Sequence, residues 1–408
     1  MKRIKLAVPA IALMMICSVA RAQDTTSVSA ADTSYADYHE SPISLPLGLG
    51  LRIPSYDRIN GLALPWGPKL ETSDGKFDID GLVTYRSNLG NWDPSLEGVI
   101  RPGGSQELRF YAGRGTFTND KWIRDDLTNS ATALFAGSDA RNWFRADRAT
   151  ARYAGTITGK SVTVTPFFGG NMERDWSTGS NGPPPKSPWA FYGHTSDRRM
   201  RRPNPAISRG HIASLLGGAG MDVASGGLTG TFNLNLEQSL RTRYDDVCVA
   251  TPGGVFCDGP SGTFTQMRLD ARLMFPTFAS QTFTFHGHTV LTGGDGTAPA
   301  QRFAYLGGVN TLASVELLAL AGDQLLFVMG EYRIPFERIQ VPFLGNPFLA
   351  LNYAAGNAGP DKIPALIQNL GVGVGIGVLR FDYTLDPSRN RSPFSRRNTF
   401  SFGLSLSP

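Results

Sequence analysis

Beyond its first 22 residues the chain has no apolar run long enough to cross a bilayer as a helix, which takes about 20 residues. The longest later stretches, 317–321 and 325–330, fall far short. Charge is sparse as well: 18% of the 408 residues are Asp, Glu, Lys or Arg, and the net charge is +5. The arginines are dispersed, whereas nucleic-acid binding calls for a concentrated basic face, so no nucleic-acid partner is expected. Gly-x-Ser-x-Gly is missing, and no nucleophile stands at a fixed spacing from a base. The sequence therefore reads as a non-enzyme without a cofactor. Cysteine is scarce, at three residues.

The N-terminus sets the compartment. Lys2, Arg3 and Lys5 precede an apolar run over 6–19, and Ala20-Arg21-Ala22 follows. A basic start, a short apolar stretch and an A-x-A site make residues 1–22 a secretory signal peptide, cleaved after Ala22. The run is short for a spanning anchor, and Ile16 before Cys17 stands where a lipoprotein signal has a small residue. Residues 23–44, polar and rich in Ser, Thr, Ala and Asp, read as a disordered periplasmic leader. Residues 45–408 are uniform in texture and read as one domain. Once Cys17 leaves with the signal, Cys248 and Cys257 remain, flanking a Thr-Pro-Gly-Gly tip. An even pair in an oxidising compartment predicts a disulfide across that loop. A metal site there lacks further ligands.

What the chain does have is glycine, proline and period-two alternation. There are 47 Gly and 27 Pro, set between short segments, the pattern of many strands and turns. Over 228–237, Leu228, Gly230, Phe232, Leu234 and Leu236 share one face and Thr229, Thr231, Asn233, Asn235 and Glu237 the other. Over 266–275, Met267, Leu269, Ala271, Leu273 and Phe275 oppose Gln266, Arg268, Asp270 and Arg272. Residues 399–407 alternate likewise. Such strands have one apolar and one polar face. Alternation alone does not separate a soluble sandwich, apolar inside, from a membrane barrel, apolar outside. Length does: runs of about 9–13 residues suit a tilted membrane strand, whereas ordinary strands hold about 5–6. The 408 − 44 = 364 domain residues, at about 23 per strand and connection, give roughly 16 strands. An open sheet of that size would expose its edges, and closure removes them. The fold expected is an all-β, closed transmembrane antiparallel β-barrel.

Several local features stand apart. Residues 120–148, acid-led, Ala-rich and broken by Gly137, predict a short helix inserted in a connection. The Pro- and Gly-rich connections 174–209 and 245–261 read as external loops. The first holds Arg198, Arg199, Arg201 and Arg202, which are either a site for lipopolysaccharide phosphates or a solvated loop. Residues 154–161 fit a loose phosphate-loop pattern, but a strand follows where the mechanism needs a helix, so Thr158-Gly159-Lys160 reads as a hairpin turn. His286 and His288 share a face, with Asp270 near on the preceding strand; a metal would need a further ligand, and two solvated lumen histidines are the alternative.

The last third of the chain resembles the bacterial surface antigen family, the barrels of the BAM and TAM outer-membrane assembly factors and related two-partner secretion transporters. Residues 302–312 (RFAYLGGVNTL) resemble the glycine pair opening the family's long sixth loop. Residues 330–336 (GEYRIPF), 354–357 (AAGN), 370–376 and 379–383 resemble strands that follow it. Residues 56–62 (YDRINGL) resemble a first-strand motif of members without POTRA domains. The resemblance implies a 16-stranded barrel whose sixth loop folds into the lumen, here with Gly307, Gly308, Thr311, Leu312 and Ala313. It implies a role in outer-membrane assembly or macromolecule translocation, with a porin or a structural surface barrel as the alternative. Partners implied are outer-membrane lipid, the BAM machinery for the chain's own insertion, and a protein cargo. There are departures. Ala313 stands where the family carries the arginine of its loop tip, and Ala354 where it carries the acidic partner. Losing both is coherent, since one alone would be an unpaired buried charge. The leader is short for a POTRA domain, and the end, Leu404-Ser405-Leu406-Ser407-Pro408, lacks a terminal aromatic.

Overall fold

The computed structural model describes residues 43–178, 202, 204–244, 249–251, 254–256, 262–294, 298–342, 344–377, 379–387 and 393–404. The proposed signal peptide, nearly all of the leader, Cys248, Cys257 and Arg198–Arg201 lie outside them. Strands β1 (Ile43–Ser44), β2 (Ser55–Asp57), β3 (Gly61–Trp66) and β4 (Lys69–Glu71) are short. Next come β5 (Phe77–Arg86), β6 (Asn91–Gly103), β7 (Gln106–Phe117), β8 (Phe144–Gly155), the two-residue β9 (Ile157–Thr158), β10 (Val162–Ser177), β11 (Gly210–Ser225) and β12 (Leu228–Tyr244). A small hairpin, β13 (Val249–Thr251) and β14 (Gly254–Phe256), precedes β15 (Phe264–Pro276) and β16 (Thr282–Gly294). A second, β17 (Ala304–Leu306) and β18 (Leu320–Gly322), precedes β19 (Gln324–Pro335), β20 (Pro347–Gly359), β21 (Ile367–Ile376), β22 (Leu379–Leu385) and β23 (Asn398–Leu404).

Nineteen of these strands form one sheet, and fourteen of the nineteen have seven residues or more. The long strands pair antiparallel with their neighbours in chain order, from β5 with β6 through to β22 with β23. Each connection can therefore be short, as in the Gly226-Gly227 turn between β11 and β12, where both glycines have positive φ. The sheet begins two residues earlier than the sequence suggests, since Ile43 and Ser44 pair with Leu70 and Lys69. Residues 56–62 are not a strand interior. They are the hairpin of β2 and β3, with Arg58 in its turn. Residues 158–160 form the hairpin turn expected, closed by Gly159 N–H donating to the Val162 carbonyl at 2.7 Å.

The two faces of the sheet differ. On one, large apolar side chains stand free: Phe168 is 66% exposed, Val374 53% and Phe402 54%. On the other, alternating positions of the long strands hold buried polar residues, among them Glu173, Gln266 and Asn369. The apolar positions read in β12 lie on the open face, where Leu236 is exposed, and Glu237 beside it points to the covered face. The covering is made by chain that leaves the sheet and returns to it. Residues 118–143, between β7 and β8, hold α1 (Asp126–Ala136). Asp125 caps its start, accepting from Thr128 N–H at 2.8 Å, and Gly137 ends it at φ 61°. Acceptor at the start and glycine at the stop are the signals visible in the sequence.

Candidate functional site

The covered face is built from two elements, the insert 118–143 and the loop 298–323 between β16 and β19. A single apolar cluster joins them. Trp122, Ile123 and Ala140 of the insert pack with Phe303, Leu306, Leu312, Leu318 and Leu320 of the loop and with Val290, Phe327 and Ala354 of the sheet. Burial of this many large side chains holds both elements down. Polar bonds then set their register. Asn119 Nδ2 donates to the Gln301 carbonyl at 2.6 Å, and Arg272 donates to the Trp122 carbonyl at 2.8 Å.

The insert is also tied to the N-terminal hairpin. Arg58 is buried; its guanidinium donates to the Arg141 carbonyl (3.1 Å), Asn142 Oδ1 (3.2 Å), Asn204 Oδ1 (3.0 Å) and the Arg202 carbonyl (2.8 Å), with Asp139 3.6 Å away. Asp139 also accepts from Trp143 Nε1 at 2.9 Å and from Asn129 Nδ2 at 3.0 Å. Arg202, the last of the arginine run, donates to Asn142 and to the Arg141 carbonyl. It is therefore a packing residue, not part of a solvated surface. Burial lowers it to about 9, with Arg58 beside it adding to the effect. Asp120 is buried too, and burial pushes its carboxyl up to about 7 although Asn142 N–H donates to it at 2.7 Å.

The loop has two anchors, and neither is at Ala313 or Ala354. The first is Arg302, buried beneath the sheet. It donates through Nε to Glu237 Oε2 at 2.8 Å and through Nη2 to Glu237 Oε1 at 3.0 Å and to Glu173. Glu173 is shared with Arg148, 2.7 Å away, and Glu237 with the Ser214 hydroxyl, which donates at 2.8 Å. Burial works against the charge of Arg302, but Glu173 and Glu237 outweigh it and hold the guanidinium well above its usual range. Next to it Gln301 donates to Asp175 at 2.9 Å and to the Ser208 carbonyl at 3.1 Å, and Arg268 and Gln266 donate to the Arg302 carbonyl. The second anchor is at the tip. Asn369 of β21 accepts from Ser314 N–H at 3.0 Å and donates to the Ser314 hydroxyl at 2.7 Å. Arg396 N–H donates to the Ser314 carbonyl at 2.7 Å, and Glu316 N–H to the Phe394 carbonyl at 3.0 Å.

The loop residues singled out from sequence lie between these anchors. Gly307 and Gly308 take φ of 124° and 94°, conformations that favour glycine. Thr311 Oγ1 accepts from Gly307 N–H at 3.2 Å and donates to the Gly308 carbonyl at 3.1 Å, closing the turn. Leu312 is fully buried, Ala313 is half-buried, and Ala354 is buried in the apolar cluster. His286 and His288 are buried on the covered face, each 3.1 Å from Asp270 Oδ2, and His288 stacks on Trp122 with ring centroids 4.0 Å apart. They are packing residues held by a carboxylate, not solvated ones. Among the described residues no three His, Cys, Asp or Glu side chains are arranged to hold a metal. Sequence reading missed Arg302 as an anchor and missed Glu173 and Asn369 altogether. The one available signal was polar residues on the non-apolar face of long strands.

A meander of long antiparallel strands whose polar face is covered by a returning loop is a fold shared with solved structures. The solved structures it is similar to include BamA from Haemophilus ducreyi lacking POTRA domains 1-3, with a TM-score of 0.51 and 11% identity over 86% of this chain and 69% of that one. Also similar are CdiB from Escherichia coli (0.49, 10% identity, 86% of this chain) and CdiB from Acinetobacter baumannii (0.44, 10%, 84%). The chain spans 61% and 56% of those two CdiB chains. The likeness is one of fold. No family model matches the sequence, and no curated protein does.

Proposed function

We propose that the chain is an outer-membrane β-barrel of the surface-antigen type, exported by residues 1–22 and inserted by the BAM machinery. Its long strands close into a barrel of about 16, the open apolar face meets lipid, and the covered face is the lumen wall. Its work is the assembly or translocation of a macromolecule at the outer membrane, performed by steric and electrostatic means without bond chemistry. The observation that carries this reading is the loop 298–323, held against the polar face near its start by Arg302 and at its tip by Ser314. A loop so held is a stopper, which speaks against a constitutively open solute pore.

Planar-bilayer recording tests the reading. The full chain gives little or flickering conductance, and deleting residues 311–321 raises it. Stable open conductance in the intact protein would move the reading to a porin, and no change on deletion would remove the stopper. Site-specific crosslinking from the covered face to nascent outer-membrane proteins separates assembly from a structural role.

A further inference from the structure

A cluster of charged side chains interrupts the open face. At one end of β7, β8, β10, β11 and β12, cross-strand register sets five side chains in a row: Arg114 opposite Asp147, Asp147 opposite Arg174, Arg174 opposite His211, His211 opposite Arg243. Two residues along each strand, or about 7 Å, the row becomes Ala112, Ala149, Met172, Ala213 and Arg241. The small side chains of this second row floor a concavity of about 880 Å³, rimmed by Arg114, His211, Arg241 and Arg243. A step further lie Phe110, Ala151, Gly170 and Leu215.

These groups face away from the Arg302 anchor. Glu173, Ser214 and Glu237 point to the covered face, so their neighbours Met172, Arg174, Ala213 and Leu215 point out. Continued alternation from Glu237 would carry Arg241 and Arg243 inward as well. A bulge prevents it: Ser214 pairs with Ser239 and Ala213 with Arg241, leaving Leu240 extra in β12. One added residue reverses every side chain beyond it, and both arginines turn out. Arg114 is neutralised by Asp147, which accepts from it at 2.7 and 2.9 Å. Arg174, Arg241 and Arg243 have no ion-pair partner among the described residues. Arg241 and Arg243 therefore border an apolar hollow on a wall we read as lipid-facing, with Arg174 in the adjoining row between Asp147 and His211.

We infer that this hollow binds a phosphorylated membrane lipid, its phosphate on Arg174, Arg241 and Arg243 and its acyl chains along Ala149, Ala213 and Leu215. A free phosphate would leave the hollow unfilled, and an uncharged lipid would leave the arginines unpaired. Arginine forks match phosphate oxygens in pairs, and the volume suits a headgroup with the start of its chains.

The inference rests on the barrel reading, and one experiment separates the two. The full chain is reconstituted into phosphatidylcholine vesicles with and without lipid A, floated, extracted and weighed by native mass spectrometry. The wild-type protein floats with both vesicles and retains one lipid A. Arg174→Ala/Arg241→Ala/Arg243→Ala floats equally but retains at least about tenfold less. Ala149→Leu/Ala213→Leu, which fills the hollow and keeps the charges, also loses the lipid. Equal retention by the triple variant, or release of the lipid by millimolar inorganic phosphate, overturns the site. Failure of the wild-type chain to float with either vesicle overturns the barrel reading and the site with it.

Discussion

Arg302 is buried between two carboxylates, so its removal does more than delete bonds. Glu173 would keep only Arg148 as a cationic partner, and Glu237 would keep the Ser214 hydroxyl but no cation. Breaking a buried pair by removing one member costs about 3–5 kcal/mol because the orphaned charge remains. Arg302→Ala is expected to loosen the loop before it unfolds the sheet. Protease cleavage within 298–323 should rise while the heat-modifiable band of the folded protein persists. Arg302→Lys should give an intermediate effect, since a lysine cannot serve both carboxylates with a planar fork. Cleavage of Arg302→Ala at the wild-type rate would show that the apolar cluster alone holds the loop.

Asp120 gives a pH dependence with a definite sign. Its carboxyl titrates near 7 in the fold because it is buried, against about 3.9 in an unfolded chain. Between these values the folded state holds a proton that the unfolded state has released. Stability is therefore highest below about pH 4 as far as this group is concerned, and is lost as pH rises through about 7. Asp120→Asn removes the ionisation while keeping an acceptor for Asn142 N–H. The variant should melt at a higher temperature than wild type at about pH 8 and at a similar one at about pH 4. A melting difference independent of pH would show that the carboxyl is not the titrating group.

At the scale of elements, the loop tip is held without an ion pair. Neutral bonds between Ser314 and Asn369 and backbone bonds from Glu316 and Arg396 hold it. Each neutral bond contributes about 1 kcal/mol. A double-mutant cycle of Ser314→Ala and Asn369→Ala on protease resistance of the loop should give a coupling of about 1 kcal/mol. Zero coupling would mean that the two side chains act separately.

The elements also show what could be read in advance. The alternation in β12 and β15 gave the two faces correctly, because a period of two is written directly in residue order. The helix was legible at Asp125 and Gly137, since both caps are local. The loop motif at Gly307 and Gly308 was legible from resemblance. Arg302 was seen only as the first residue of that motif. Its partners lie 129 and 65 residues away, and strand order and register, which no local pattern states, bring them together. The outward turn of Arg241 and Arg243 was hidden for a related reason: it depends on a single bulged residue.

For the whole molecule the decisive question is which solvent each face meets. In water, the exposed side chains of β21, Leu370, Val372 and Val374, would be an aggregation-prone surface, and a charge among them would be tolerated or helpful. In hydrocarbon the same charge is costly, about 2–4 kcal/mol for arginine near the bilayer middle and much less near its edges. Val372→Arg is therefore expected to lower folding stability in phospholipid vesicles by about that amount, measured by reversible denaturant titration. Leu385→Arg, nearer a strand end, should cost less. In detergent micelles, where the headgroup is within reach of a long side chain, the gap between the two variants should shrink. Equal and small costs for both in vesicles would mean that this face meets water. The closed barrel, the lumen and the lipid site would then all have to be given up, because each follows from hydrocarbon on that side.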